Sequence, residues 1–280
     1  MRTVFFTIGL LGLGAFFVVQ GSIGRAEETL PTYVVEDARE VHVSAISWGV
    51  YDVETGERII AHNEHEVLPV ASITKLMTAF TAHSLPDIDE PTVLSPGAVA
   101  TFGRAGSLRV GEALSARELL FPLLIESSND AAEALAEIDG RSTFLAHMNL
   151  SATRFGLEST SFEDPSGLSP LNVSSVSDQA RFLTYLYRNA RHLLDITTLR
   201  RYVGEEHTWV NVNPVAASSA FRGGKHGYTD EAGRTLAALF DVLLLNGEVR
   251  TVVVILLGSD NLPDDMAALL NLLSAHVRYE

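Results

Sequence analysis

The sequence contains no cysteine. Disulfide bonds, thiolate metal sites and a cysteine nucleophile are therefore excluded, although this absence does not fix the compartment. Positive charge is also scarce: 20 lysine and arginine residues stand against 35 aspartate and glutamate residues, which gives a net charge of -15. Because phosphate backbones and anionic membrane surfaces require clustered cations, and no basic run occurs, we expect no nucleic acid as a partner.

Internal repeats, low-complexity tracts and, after residue 35, domain-scale linkers are absent as well. The 280 residues are 46% hydrophobic and 20% charged, which is the composition of a globular protein rather than a disordered one. This length allows either one large domain or two lobes around a shared cleft.

A mostly apolar run stands at the N-terminus. It covers residues 4–19 after Arg2, and small and polar residues follow as far as Ala26. The pattern is typical of a secretory signal peptide cleaved after Ala26. An uncleaved anchor is the alternative, although the run is shorter than the roughly 20 residues that a membrane-spanning helix needs. In either case we expect residues 27–280 outside the cytoplasm, with membrane attachment only through residues 4–19.

The periodicity of apolar residues predicts an α/β layout. A hairpin with its turn at residues 54–57 precedes a helix that begins at Ser72, and a helical middle region is broken at residues 127–129. Residues 162–175 contain Ser, Pro and Gly and predict a long ordered loop. The predicted strands are 41–53, 58–61, 221–228, 235–243 and 250–257, and the other predicted helices are 176–192 and 264–277.

Three short motifs carry the chemistry: Ser72-Ile-Thr-Lys75, Ser127-Ser-Asn129 and Lys225-His-Gly227. Each alone has an ordinary explanation as a helix cap, a solvated helix residue, a loop or a turn. Together, in this order, they match the set found in active-site serine enzymes that open an amide or lactam through an acyl-serine. Three positions are nearly one helical turn, so the Lys75 amine can reach the Ser72 hydroxyl.

The segments around these motifs resemble the low-molecular-mass penicillin-binding proteins, the serine D-Ala-D-Ala carboxypeptidase family. The resemblance runs from about residue 40 to 278 and rests on the stretches 69–79, 124–132, 148–149, 155–157, 165–168 and 224–233. It implies a DD-peptidase-like catalytic domain over 27–280, with a mostly antiparallel sheet of about five strands flanked by helices. A helical subdomain at roughly 85–215 would form the other wall of the cleft.

The residues suggest a division of roles. Ser72 is the expected nucleophile, and Lys75 is the expected base, because partial burial and a second ammonium at Lys225 would lower its pKa. Ser127 would pass a proton to the leaving amine, and Asn129, with an amide donor and an acceptor, suits the substrate backbone.

The third motif is expected to border the cleft. By the resemblance, Lys225 lies on an edge strand and faces a substrate carboxylate. Gly227 would leave room for the close approach of substrate. The backbone amides of Ser72 and Tyr228 are the expected oxyanion donors.

His226 departs from the family pattern, which usually has a small hydroxyl residue between Lys and Gly. Imidazole is bulkier, and its charge can change between about pH 5 and 8. We therefore hypothesise reduced or altered carboxypeptidase activity, with preference for a cross-link that lacks a free terminal carboxylate.

Three functions are weighed. The leading one is a secreted DD-peptidase that acts on peptidoglycan stem peptides and is inhibited covalently by β-lactam antibiotics. A serine β-lactamase is the second, and an idle wall-binding protein with a decayed site is the third. No cofactor is predicted and no metal site, since His62 and His65 lack a third ligand.

Overall fold

A computed structural model describes residues 32–36, 41–103 and 105–280 of the chain. The predicted leader or anchor at residues 1–26 lies outside the described residues. Across the described ranges, no helix combines the length and the apolar character needed to cross a membrane.

The centre of the structure is a five-stranded sheet in which every neighbouring pair is antiparallel, in the order β10-β11-β12-β2-β3. Among the described residues no further strand pairs with the outer strand β10, so this edge of the sheet is free. This confirms the predicted fold class. The five strands are β2 (Ser47–Asp52), β3 (Arg58–His62), β10 (Phe221–Thr229), β11 (Gly233–Leu243) and β12 (Val249–Ser259).

Eight short strands pair outside this sheet. They are β1 (Tyr33–Val35) with β13 (Val277–Tyr279), β4 (Leu68–Pro69) with β7 (Val173–Ser174), β5 (Pro91–Val93) with β6 (Ala113–Ser115), and β8 (Arg201–Val203) with β9 (Thr208–Val210).

The described residues form eight α-helices, and a 3-10 helix, Ala71–Thr74, leads directly into the first of them. The helices are α1 (Lys75–His83), α2 (Pro96–Val99), α3 (Ala116–Ile125), α4 (Asn129–Ile138), α5 (Arg141–Arg154), α6 (Val176–Asn189), α7 (Arg191–Thr198) and α8 (Leu262–His276).

Two elements differ most from the predictions. β2 begins at Ser47 rather than at residue 41, because its regular register with β12 ends at the pair Ser47 and Leu257, next to Gly258, whose φ of 69° interrupts the extended backbone. The helix predicted over 176–192 is interrupted at Ala190, where φ is -140° and ψ is 40°, so α6 and α7 are separate.

Each face of the sheet is covered by its own apolar core. Leu236, Leu256 and Val254 pack with α8 on one face, whereas Ala237, Leu239 and Ile255 pack with the other helices on the opposite face. Since side chains alternate along a strand, neighbouring residues of β10 point toward different cores.

Candidate active site

The turn that carries Ser72 has a strained backbone, and hydrogen bonds to both the amide and the carbonyl of Val70 hold it in place. Ser72 is half-buried, and Ala71 before it has a φ of 49°, a left-handed conformation that costs about 1–2 kcal/mol for a residue with a Cβ. The Val70 amide donates to the Asn172 carbonyl at 3.0 Å, and the Val70 carbonyl accepts from Thr235 Oγ1 at 2.9 Å. Strain of this kind persists where the surroundings over-determine the backbone. Neighbouring contacts therefore fix the Ser72 turn.

Two glycines pack directly against this turn. At Gly167, whose φ is 86°, an added Cβ would lie 1.9 Å from the Ala71 carbonyl oxygen. At Gly227, an added Cβ would lie 2.6 Å from the Ser72 amide nitrogen. Neither position has room for a side chain. Gly227 thus lets β10 approach the nucleophile turn, whereas the sequence analysis assigned the close approach to substrate.

Lys75 is fully buried one turn after Ser72. Its Nζ lies 2.9 Å from Ser72 Oγ, 2.7 Å from Asn129 Oδ1 and 2.6 Å from the Ser166 carbonyl oxygen. Burial lowers the pKa of Lys75 to about 7, against the opposing effect of two nearby carboxylates. At neutral pH a large fraction of this amine is therefore uncharged.

Lys225, on β10, is a second buried lysine. It is 1% exposed, and its Nζ donates to the His226 carbonyl at 2.7 Å. Burial, together with the Lys75 ammonium, holds the pKa of Lys225 well below its usual range. Of the two causes predicted to lower the pKa of Lys75, partial burial and the Lys225 ammonium, burial is the one that acts on Lys75, whereas repulsion between the two lysines lowers the pKa of Lys225.

The loop predicted over 162–175 supplies the Ser166 carbonyl, and two buried side chains anchor it. The Asp164 carboxylate accepts from the backbone N–H groups of residues 166–169. Asn172 Oδ1 accepts from the amides of residues 163 and 164, while Nδ2 donates to Thr74 Oγ1 at 3.1 Å. Neither Asp164 nor Asn172 was among the predicted site residues. The sequence signal that could have found them is a long loop with polar side chains, because the backbone N–H and C=O groups of a buried loop need hydrogen-bond partners.

Ser127 lies in the turn between α3 and α4, with a φ of 62°. The Ser128 amide donates to the Pro122 carbonyl at 3.0 Å and ends α3, and the Ser128 hydroxyl accepts from the Ala131 amide at 3.1 Å and caps α4. The predicted break between two helices at residues 127–129 is thus confirmed.

Asn129, the first residue of α4, connects Lys75 to the segment before α3. Its Oδ1 accepts from Lys75, and its Nδ2 donates to the Phe102 carbonyl at 2.7 Å. A carboxamide has two N–H groups and two acceptor sites, so capacity for a substrate backbone is left. That contact stays a prediction.

His226 is held neutral. The strand register pairs it with Leu236, whose side chain lies in the core under α8, whereas Lys225 pairs with Ala237 on the other face. Its buried Nδ1 has no hydrogen-bond partner among the described residues. Burial, and then the Lys225 and Lys75 ammonium groups, lower the pKa of His226 to about 2. The predicted change of charge between about pH 5 and 8 is therefore wrong.

Tyr228 follows at the exposed end of β10. Its side chain is directed to solvent, and its hydroxyl donates to Asp230 Oδ1 at 3.0 Å. Its backbone amide adjoins Gly227, which packs on the Ser72 amide. The two predicted oxyanion donors thus belong to neighbouring stretches of backbone.

The two histidines weighed as metal ligands have other contacts. The His62 ring stacks on Trp48, with ring centroids 5.9 Å apart, and His65 Nδ1 lies 3.1 Å from Ser177 Oγ. In the part of the chain that the structure describes, no group of three or more His, Cys, Asp or Glu side chains is arranged to hold a metal ion.

The antiparallel sheet between two helical layers, with a serine and a buried lysine beside its free edge, defines a serine hydrolase with the fold of the penicillin-binding proteins. Residues 34–256 match the D-alanyl-D-alanine carboxypeptidase family of peptidases, and the chain belongs to that family.

The chain is similar to proteins named as carboxypeptidases and to proteins named as endopeptidases. The D-alanyl-D-alanine endopeptidase of Pseudomonas aeruginosa is 37% identical over 48% of this chain and 44% of its own length. The D-alanyl-D-alanine carboxypeptidase DacD of Escherichia coli is 29% identical over 90% of this chain and 67% of its own length. The cefotaxime-bound structure of penicillin-binding protein D2 from Listeria monocytogenes superposes with a TM-score of 0.73, at 26% identity, over 85% of this chain and 99% of that one.

Proposed function

We propose that this protein is a serine DD-peptidase that cleaves peptidoglycan stem peptides through an acyl-serine at Ser72. The observation that carries the proposal is the set of three contacts around Lys75 Nζ. A neutral amine has two N–H groups and one lone pair. Asn129 Oδ1 and the Ser166 carbonyl are acceptors only, so they take both N–H groups. The lone pair then faces the Ser72 hydroxyl, which is the orientation that a general base needs.

The reaction proceeds in two steps. Ser72 Oγ attacks the penultimate D-Ala carbonyl while its proton passes to Lys75, and the tetrahedral oxyanion is stabilised by the amides of Ser72 and Tyr228. Ser127 conveys a proton to the leaving amine, which departs as the acyl-serine forms. Water then attacks the ester with the proton path reversed. Lys225 binds the substrate carboxylate: a negative charge beside this buried amine opposes the lowering of its pKa and favours its ammonium form.

The proposal extends to the substrate class, the inhibitors and the cellular location. Relatives named as carboxypeptidases and endopeptidases support cleavage of D-Ala-D-Ala termini or of cross-links, and His226 favours the cross-link. The cefotaxime-bound neighbour supports β-lactams as covalent inhibitors. The N-terminal apolar run supports an extracytoplasmic location, with residues 1–26 as the leader or anchor and 27–280 as the catalytic domain.

The loop around Ser166 favours a peptidase over a β-lactamase. Fast deacylation in the best-known β-lactamase class uses a Glu-activated water. The corresponding candidate, Glu163, has an exposed side chain whose oxygen accepts from Ser169 Oγ at 3.4 Å. The Ser166 carbonyl is the group on this loop that contacts Lys75. We therefore expect a long-lived penicilloyl adduct.

Intact-mass analysis after incubation with benzylpenicillin tests the proposal. We expect a stable mass increase of one penicilloyl group in the wild type and in a Ser84→Ala control, in which an exposed serine is changed. The Ser72→Ala variant should form no adduct. Rapid loss of the drug without an adduct would indicate the β-lactamase instead. Intact drug without an adduct would indicate the wall-binding protein.

A further inference from the structure

Ser127 occupies a backbone conformation that the sequence around it does not make easy. It follows the last turn of α3 with a φ of 62°, and the Ser128 amide reaches back to the Pro122 carbonyl at 3.0 Å. Glycine is the usual residue at this position of a helix end, because a Cβ disfavours the left-handed region. Contacts from neighbouring residues must therefore stabilise the turn.

Glu126, immediately before Ser127, provides two such contacts. Its Oε2 accepts from the Gly106 amide at 3.0 Å, and its Oε1 accepts from the Val210 amide at 3.0 Å. These amides belong to different parts of the chain, the segment before α3 and the end of β9. One carboxylate thus joins the Ser127 turn to two separate backbone stretches.

The residues after Ser127 bind the same segment. Ser128 Oγ donates to the Ala105 carbonyl at 2.7 Å, and Asn129 Nδ2 donates to the Phe102 carbonyl at 2.7 Å. The Gly106 carbonyl in turn accepts from Trp209 Nε1 at 2.7 Å. Within the described residues the Ser127 hydroxyl itself forms no hydrogen bond. Its position is set by the anchors on either side.

The chemistry of these contacts requires a carboxylate. Two backbone N–H groups need two acceptors, and an ionised Glu offers two acceptor oxygens. Gln has nearly the same shape, but one end would present its NH₂ group to an N–H donor. Losing one acceptor leaves a backbone amide without its partner, which costs more at the partly buried Gly106 amide than at the exposed Val210 amide.

We propose that Glu126 is a positioning residue for Ser127, its carboxylate bridging the Gly106 and Val210 amides and so setting where the Ser127 hydroxyl lies. The inference rests on the proposed function, in which Ser127 conveys a proton to the leaving group. Glu126 itself touches neither substrate nor the reacting atoms.

The test compares rates of Ser72 acylation by benzylpenicillin in the full chain. We expect Glu126→Gln to slow acylation about tenfold, which is the effect of one lost hydrogen bond at a positioned group. Asp265→Asn is the matched control, since Asp265 likewise accepts from a backbone amide, that of Ser44 at 2.7 Å, but is a buried residue of α8 on the other face of the sheet. It should lower the melting temperature while keeping the rate within about twofold.

A double-mutant cycle with Ser127→Ala separates positioning from general structural damage. If Glu126 acts through Ser127, then Glu126→Gln should change the rate less than about twofold once the hydroxyl is gone. Monitoring adduct formation by intact mass over several hours gives the acylation rate even of slow variants. Trp209→Phe removes the donor to the Gly106 carbonyl. It should also slow acylation when Ser127 is present and have little effect in the Ser127→Ala background, and it replaces Glu126→Gln in the cycle if that variant does not fold.

The contrary results are distinct. A loss of about tenfold that persists in the Ser127→Ala background, or a Glu126→Gln rate within about twofold of wild type, would overturn the inference while the DD-peptidase proposal stands. A wild-type protein that forms no penicilloyl adduct at Ser72 would overturn both.

Discussion

The two sides of the candidate active site are held by different kinds of contact. On the nucleophile side, Gly167 and Gly227 lie so close to the turn at residues 71–72 that no side chain fits. On the proton-transfer side, side-chain hydrogen bonds tether the Ser127 turn to the backbone of residues 102, 105 and 106. Close backbone packing, together with the hydrogen bonds of Val70, holds the first, and side-chain hydrogen bonds hold the second.

The difference has a mechanical consequence. Close-packed backbone resists displacement steeply, whereas one hydrogen bond contributes only about 1 kcal/mol to stability and its geometry can adjust. The atom that forms the covalent bond is on the stiff side. The group that only conveys a proton is on the adjustable side. Substitutions should therefore abolish function on the first side and reduce it by degrees on the second.

The sharpest test of this contrast is Gly167→Ala. The added Cβ would lie 1.9 Å from the Ala71 carbonyl oxygen, so we expect a loss of about 3 kcal/mol or more in the free energy of unfolding, and no penicilloyl adduct. Urea titration and intact mass measure the two effects. Gly56→Ala is the control, since its φ of 77° is equally left-handed but nothing lies within 4 Å of the added Cβ. Equal losses in both variants would mean that backbone strain, and not packing, sets the cost.

The Asp164→Asn variant tests whether the nucleophile side also depends on side-chain hydrogen bonds. Asp164 holds the loop that presents the Ser166 carbonyl to Lys75, and an amide cannot accept from all four backbone N–H groups. We expect acylation to slow about 100-fold, the equivalent of roughly 2.7 kcal/mol. Asp178→Asn removes a comparable anchor, which accepts from the Ser159 amide, and should leave the rate nearly unchanged. A normal rate in Asp164→Asn would show that close packing alone positions the loop.

The pH dependence of acylation tests the buried lysine. Only neutral Lys75 can accept the Ser72 proton, and with a pKa of about 7 its neutral fraction rises about tenfold between pH 6 and pH 8. The acylation rate should rise with pH through this window and level off above it. Stopped-flow or quenched mass measurements across pH 5–9 provide the profile. A rate that is flat over this range, or that falls as pH rises, would remove Lys75 as the base.

Much of this architecture could be predicted from local patterns. The spacing of Ser72 and Lys75 places both on one helical turn wherever the helix lies, and the unbroken apolar runs within β11 and β12 mark strands that are buried on both faces. The break at residues 127–129 likewise has its own cap, Ser128.

Contacts between distant parts of the chain could not be predicted in this way. The Ser166 carbonyl meets Lys75 across 91 positions of sequence, and Glu126 meets Val210 across 84. Nothing in the local composition indicates which loop carbonyl or which carboxylate will arrive there. The charge of His226 is a similar case, because its pKa depends on burial beside two lysines that the fold brings together.

His226→Thr is expected to have the smallest effect of these substitutions. It changes the side chain on β10, the free edge of the sheet next to the nucleophile turn. The imidazole is neutral, and its buried Nδ1 has no partner among the described residues. A smaller hydroxyl removes that unsatisfied atom, widens the edge and offers a donor to a terminal carboxylate. We expect release of D-Ala from a D-Ala-D-Ala peptide to increase about threefold to tenfold relative to cleavage of a cross-linked peptide. His62→Thr, on the opposite edge strand β3, should leave the ratio unchanged. An unaltered ratio in His226→Thr would mean that the imidazole lies outside the path of the substrate carboxylate, and that specificity is set on the tethered side.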